Sequence, residues 1–281
     1  TTYAATRTIC DKNRLLKLYS YANGFFFTLS CKNGSFLRNP TPAYAVILTS
    51  GARETQLVVF GRAAYVSINE NKARIDVQLI QGMAAFVVEK GTPGFTVGKV
   101  ENKMGIRTAL VSDMHLDNVR VPAENMIAQP GEGFKLAMKT LDGGRIGVAA
   151  QGLGIAKGAF EVARKYMMER QQFGKPISKQ QYLAFKMAEL QTKIQAAELL
   201  LYKAAVCKEE GKPYTVPAAM AKMTCTNVAM EVTTEAVQML GGNGYMKDYH
   251  VERMMRDAKI TQIYEGTNEI QKLVISGQLF R

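Results

Sequence analysis

Three short segments of this sequence hold residue types that a packing helix does not need. Leu141-Asp142-Gly143-Gly144-Arg145 puts a carboxylate, two bare backbone units and a guanidinium into five residues. Paired glycines remove side chains and let another group approach the backbone closely. Asp142 is expected to cap a helix that starts there. Arg145, in its first turn and against the helix dipole, is expected to meet a partner anion. An ordinary loop-to-helix junction accounts for the same residues. Gln238-Met239-Leu240-Gly241-Gly242-Asn243-Gly244-Tyr245 has three glycines in four residues, more than a helix C-cap uses. Such a run turns backbone amides toward a phosphate or a polar ring, or serves only as a cap and turn. It does not fit GxGxxG and no strand precedes it, so a Rossmann fingerprint is excluded. In Tyr264-Glu265-Gly266-Thr267-Asn268-Glu269-Ile270-Gln271, Thr267 and Asn268 can cap a last helix, which leaves Glu265 just outside its N-terminus. A partly desolvated loop carboxylate is what a general base requires. The bland alternative is a surface glutamate beside a cap.

Other chemistries find little support. The four cysteines, Cys10, Cys31, Cys207 and Cys225, form no CxxC, and neither histidine, His115 or His250, lies near one. No metal site is therefore expected, and the thiols read as reduced. The formal charge is +12, which suits nucleic acid, an anionic membrane surface or a ligand with several phosphates. In the later part the basic residues alternate with acidic ones (Glu161, Arg164, Lys165, Glu169, Arg170) as on a solvated helix face. A ligand with several phosphates is at least as compatible as nucleic acid, and no nucleic-acid partner is expected. No window has the apolar length of a membrane span, and the first residues lack a secretory layout. A start at Thr1 suggests an incomplete chain.

Two textures position these segments. Before about residue 130 the pattern is one of strands and turns: Tyr44–Leu48, Leu57–Phe60, Ala64–Ile68, Ala84–Glu89 and Leu110–Val121, with a turn at Lys90-Gly91-Thr92-Pro93-Gly94. After Gly131-Glu132-Gly133 it becomes helical. Leu183, Met187, Leu190, Ile194, Ala197, Leu201 and Ala204 line one seam of a long helix. Further helices are expected near 144–168, 216–240 and 266–279. The fold class is thus α+β: an antiparallel β domain over 1–130, followed by a C-terminal four-helix bundle over 131–281.

Taken together, these segments carry a resemblance. AFVVEKGTPGF (85–95), MGIR (104–107), VRVPAEN (119–125), GEGF (131–134), LDGGRIGVAAQ (141–151), ERQQFGKPI (169–177), QMLGGNGY (238–245) and ERMMRDAKITQIYEGTNEIQ (252–271) stand in the order and register of the acyl-CoA dehydrogenase family. From about Ala84 to Arg281 the sequence resembles that family, most of all its short-chain, butyryl-CoA branch. The run ending in IYEGTNEIQ is highly specific.

The resemblance implies an FAD-dependent oxidoreductase of fatty acid metabolism. It removes the α-proton and β-hydride of an acyl-CoA, giving the trans-2-enoyl-CoA, or runs in reverse as an enoyl-CoA reductase. The base falls on Glu265. A family minority carries its base just before the Arg of the first segment, and that position here is Gly144, which cannot act. The resemblance places acyl-CoA contacts at Asp142, Gly143, Gly144, Arg145 and Gly266. It places FAD contacts at Arg170, Gln181, Gln238, Met239, Leu240, Gly241, Gly242, Thr267, Asn268 and Glu269, some of them reaching the flavin of a neighbouring subunit. It further implies a homotetramer, an electron-transferring flavoprotein as partner, and a bacterial cytoplasmic rather than a mitochondrial setting. Residues 1–83 do not match: the LTEPxAGSD-like and WITNG-like stretches are not found, Asn33-Gly34-Ser35 being only a faint trace of the latter. The family's N-terminal helical domain is missing as well. That departure motivates the competing reading, a catalytically inactive member acting as a binding or assembly subunit.

Overall fold

The computed structural model describes residues 84–117 and 119–281 in full and, between 14 and 83, the strands alone. Cys10 and the Asn33-Gly34-Ser35 turn lie outside the described residues. Two compact units emerge: Thr1–Asn102 with Arg107–Leu141, and Lys103–Ile106 with Asp142–Arg281.

The first unit is built of antiparallel strands. They are β1 (Arg14–Tyr21), β2 (Gly24–Cys31), β3 (Tyr44–Leu48), β4 (Gln56–Arg62), β5 (Tyr65–Asn69), β6 (Lys72–Asp76), β7 (Met83–Glu89), β8 (Phe95–Val100), β9 (Ser112–Leu116) and β10 (Met126–Ala128). Four of them form a sheet in the order β10-β7-β4-β3, with Val58 opposite Val87. β1–β2, β5–β6 and β8–β9 pair separately. β7 is apolar up to Val88, with Ala84, Ala85, Phe86 and Val88 all buried, and ends at the exposed Glu89. The expected strand Leu110–Val121 is shorter, ending at Leu116. There the chain turns, and Asp117 donates its N–H to the Gly94 carbonyl at 2.9 Å, closing the β8–β9 pair.

The second unit is a helical domain. Its helices are α1 (Gly133–Glu169, which begins in the first unit), α2 (Gln181–Glu209), α3 (Thr215–Leu240), α4 (Val251–Thr261) and α5 (Asn268–Leu279). A small hairpin of β11 (Gln171–Gln172) and β12 (Lys175–Pro176) joins α1 to α2. The four expected long helices are present, and α4 is an additional short one between the glycine-rich turn and the Glu265 loop. The expected seam on α2 faces the core: Leu190, Ile194, Ala197 and Ala204 are buried, and Leu183, Met187 and Leu201 pack against the same cluster. Two ion pairs, Lys193–Glu231 and Lys186–Glu235, fix α2 and α3 as antiparallel, because rising numbers on one meet falling numbers on the other.

Lys103–Ile106 is held against α4. Arg256 donates to the Met104 carbonyl at 2.6 Å, and the Ile106 N–H donates to Asp257 Oδ1 at 2.6 Å. The approach is so close that a Cβ on Gly105 would lie 2.6 Å from the Arg256 carbonyl oxygen. Backbone cannot yield there as a side-chain tip can. Gly105→Ala is therefore expected to destabilise the protein by about 1–3 kcal/mol, read as a lowered denaturant midpoint at unchanged slope.

Candidate active site

α4 ends at Thr261 and α5 begins at Asn268, so six residues join the two helices. They include two consecutive left-handed residues, Glu265 (φ 54°) and Gly266 (φ 83°). For glycine this costs little, but for glutamate it costs on the order of 1–3 kcal/mol and persists only where surroundings dictate it. The surroundings here are hydrogen bonds. Gln271 Nε2 donates to the carbonyls of Glu265 (3.2 Å) and Gly266 (2.9 Å). Lys222 Nζ donates to the Gly266 carbonyl and to Asn268 Oδ1, both at 2.9 Å. The Asn268 amide donates to Thr226 Oγ1 (3.0 Å) and Asn227 Oδ1 (2.9 Å). Arg145 Nε reaches the Glu265 carbonyl at 3.5 Å, the long limit of such a contact. The loop is thus tied to α1, α3 and α5.

The Glu265 side chain is 0% exposed. Its carboxylate lies over Gly144, where a Cβ would stand 2.5 Å from Oε2 and 2.8 Å from Oε1. The two positions that the family resemblance gives as alternative seats for a base meet at one point. Gly144 is bare where the Glu265 carboxylate sits.

The first segment differs from expectation in its local structure. Asp142 does not cap a helix, and Gly143 and Gly144 do not sit beside a helix start, because α1 already runs from Gly133. Ala137 and Leu141 are buried one turn apart and carry the helix into the glycines, each of which costs about 1 kcal/mol of propensity. The partner anion expected for Arg145 is Asp142 itself: NH1 meets Oδ1 at 2.7 Å, one turn back, with Arg145 buried. The Thr215 hydroxyl donates to the other oxygen, Asp142 Oδ2, at 2.6 Å. Burial pushes the nearby Tyr214 hydroxyl up, and Asp142 adds to that shift. The Lys208 ammonium stands above Gly143, 3.3 Å from where a Cβ would be.

Asp142, Gly143, Gly144, Arg145, Glu265, Gly266, Thr267, Asn268 and Glu269 therefore form one cluster. Thr267 takes the N-cap position of α5, and the exposed Glu269 carboxylate is held below the usual range by its own backbone N–H and then by the Thr267 hydroxyl. Asn268 is buried and its N–H is given to the Gln262 carbonyl at 3.0 Å.

The remaining expected residues lie elsewhere. Gln181 opens α2, and the antiparallel ion pairs set it level with the end of α3, where Gln238, Met239, Leu240, Gly241 and Gly242 stand. Asn243 donates to the Tyr166 hydroxyl at 2.9 Å, which brings the same turn to the end of α1 and so to Arg170. Met239 and Leu240 are buried. At Gly241 and Gly242 an added Cβ would meet nothing within 4 Å. That open backbone can accept a flat ring or a phosphate. From Gly144 to Arg170 along α1 is on the order of 40 Å at the rise of a helix. The two groups of expected residues thus stand far apart within one chain.

Lys222, Thr226 and Gln271 were not singled out from the sequence. A signal was present: Ala218, Lys222, Cys225 and Ala229 follow helical spacing and all are buried, so the lysine occupies a core position of α3. Among the described residues no group of three potential metal ligands occurs, and no helix is long and apolar enough to cross a membrane. Cys207 and Cys225 are free thiols, and burial pushes Cys225 up to about 12.

Residues 131–280 match the family model for the acyl-CoA dehydrogenase C-terminal domain. The chain is 60% identical over 201 residues to a Clostridium acetobutylicum protein named "Acyl-CoA dehydrogenase, short-chain specific", covering 72% of this chain and 53% of that one. Its fold is similar to the solved structure of butyryl-CoA dehydrogenase from Megasphaera elsdenii, with a TM-score of 0.74 at 45% identity, over 100% of this chain and 63% of that one. It is also similar, with a TM-score of 0.76 at 44% identity, to a structure from Acidaminococcus fermentans described as an electron transferring flavoprotein, over 99% of this chain and 68% of that one. The chain spans about half the length of the curated relative. A strained, buried glutamate over a bare helix and a family match across more than half the residues lead to one statement: this chain belongs to the acyl-CoA dehydrogenase family.

Proposed function

We propose that this chain takes part in the FAD-dependent α,β-dehydrogenation of a short-chain acyl-CoA, with Glu265 as the base. The observation that carries this reading is the buried Glu265 carboxylate, held on a left-handed backbone directly over Gly144. An α C–H is very weakly acidic, so its abstraction needs a carboxylate kept from bulk water and aimed by its surroundings. The loop hydrogen bonds provide the aim. With no side chain at Gly144, the carboxylate has room to rest against α1, where the acyl thioester would meet it. The backbone N–H of Glu265 is the donor that polarises the thioester carbonyl as the proton leaves. FAD, when bound, supplies the acceptor for the β-hydride. Thr267, Asn268 and Glu269 would touch it from the catalytic end of one copy, and Arg170, Gln181 and Gln238 to Gly242 from the far end of another.

The distance between these two groups supports a homo-oligomer, for which a tetramer is the expected form. Apolar side chains left open on α2, on α5 and just beyond its end support it too: Leu199 (71% exposed), Leu273 (65%) and Phe280 (88%) have the character of a buried interface. The A. fermentans likeness supports an electron-transferring flavoprotein as the electron acceptor, and the bacterial relatives support a bacterial cytoplasmic setting. The test is an absorbance spectrum of the purified protein titrated with C4, C8 and C16 acyl-CoAs. A flavin band that bleaches most readily with butyryl-CoA is expected. A colourless protein that takes up no added FAD would point to the catalytically inactive member instead.

A further inference from the structure

Among the described residues, four charged side chains are buried: Arg145, Lys222, Asp257 and Glu265. Three of these have roles in the contacts above. Lys222 needs its own explanation, since α3 could fill the same space with an apolar side chain at no electrostatic cost. It is 0% exposed, with Ala218, Ala221, Cys225 and Thr226 buried around it on the same helix. Its two hydrogen bonds both go to the residues that follow Glu265, the Gly266 carbonyl and the Asn268 side chain. The Gly266 carbonyl also accepts from Gln271, so two donors from different helices fix that peptide plane. That plane joins Gly266 to Thr267, and with the Glu265 carbonyl held by Gln271 and Arg145 it anchors the left-handed pair Glu265 and Gly266 from its C-terminal side.

We infer that Lys222 is the positioning residue of the Glu265 loop, orienting the Gly266 peptide and favouring the ionised Glu265 by its own charge. This rests on Glu265 being the base. The groups that face Lys222 are Glu265 from the loop, Arg145 from α1 and Glu269 from α5. Burial brings its ammonium down to about 7, opposed first by Glu265, while Arg145 lowers it further. Attraction is mutual, so whatever Glu265 does for the Lys222 charge, Lys222 does for the Glu265 charge.

The test compares Lys222→Gln, Lys222→Met and Lys222→Arg with Glu265→Gln in the flavin-loaded protein. In the two uncharged variants kcat for butyryl-CoA should fall roughly tenfold or more with KM little changed, and the acid limb of the kcat profile should move up by about one pH unit. Lys222→Arg should restore the limb. A uniform fall in kcat with the limb unmoved would reduce Lys222 to a structural prop and overturn the inference. A second readout needs no turnover. An ammonium lowered from its free value to about 7 costs stability fully below pH 7. That cost is relieved as pH rises toward the free lysine value, because the unfolded chain then binds the extra proton. The ligand-free wild type should gain Tm between pH 7 and 9 relative to Lys222→Met. Equal slopes would count against a buried charged lysine. Should Glu265→Gln turn over normally, the base assignment itself fails. Should that variant be inactive while all Lys222 variants behave as wild type, only the present inference fails.

Discussion

Glu265→Gln is expected to lower kcat by at least about 10³-fold, toward the upper range of general base effects, while acyl-CoA affinity and flavin content stay near wild type. Glutamine has the size of glutamate, so the space over Gly144 stays filled. The hydrogen bonds described above for the loop backbone run from Gln271, Lys222 and Arg145 to main-chain carbonyls, and the substitution leaves those donors in place. Fold and binding surface should therefore survive, and what is lost is the carboxylate proposed to take the proton from the α-carbon. Stopped-flow absorbance in the presence of butyryl-CoA, alongside equilibrium binding of a non-reacting CoA thioether, separates the two effects. Rapid flavin reduction in this variant would remove Glu265 from the mechanism.

Gly144→Ala should separate activity from stability. An alanine within α1 gains about 1 kcal/mol of helix propensity over glycine, so by local rules Tm should hold or rise. The new methyl group would nevertheless lie 2.5 Å from Glu265 Oε2 and 2.7 Å from Cδ, and the carboxylate would have to swing aside. The backbone beneath it is pinned, so the side chain takes the whole displacement. A misplacement of about 1 Å at a reacting group can cost 10²-fold, and a fall in kcat of tenfold to a hundredfold is expected. Thermal melts beside steady-state rates check this. An alanine variant with full activity would mean that Gly144 does not define where the carboxylate rests.

The sequence made several of these features legible because their signals are local. The seam from Leu183 to Ala204 repeats at helical spacing over six turns, and the strands over Tyr44–Leu48 and Ala84–Glu89 are short apolar runs bounded by turn residues. Both strands form, and the helical periodicity persists because burial rewards the same face that the pattern marks. The start of the first long helix was not legible. Two glycines beside an aspartate read as a junction by propensity, yet α1 passes through them, since its buried face continues on both sides and outweighs the local cost.

By itself the sequence determined the family, the order of strands before helices, and Glu265 as the candidate base, since motif wording and hydrophobic period lie along the chain. Only the tertiary structure decided that Gly144 and Glu265, more than a hundred residues apart, press on one another, that Arg145 answers Asp142, and that Lys222 closes over the Gly266 carbonyl. It also set the two halves of the expected flavin contact at opposite ends of the bundle. These are consequences of helix length and antiparallel register, which fix distances between residues that no spacing along the sequence encodes.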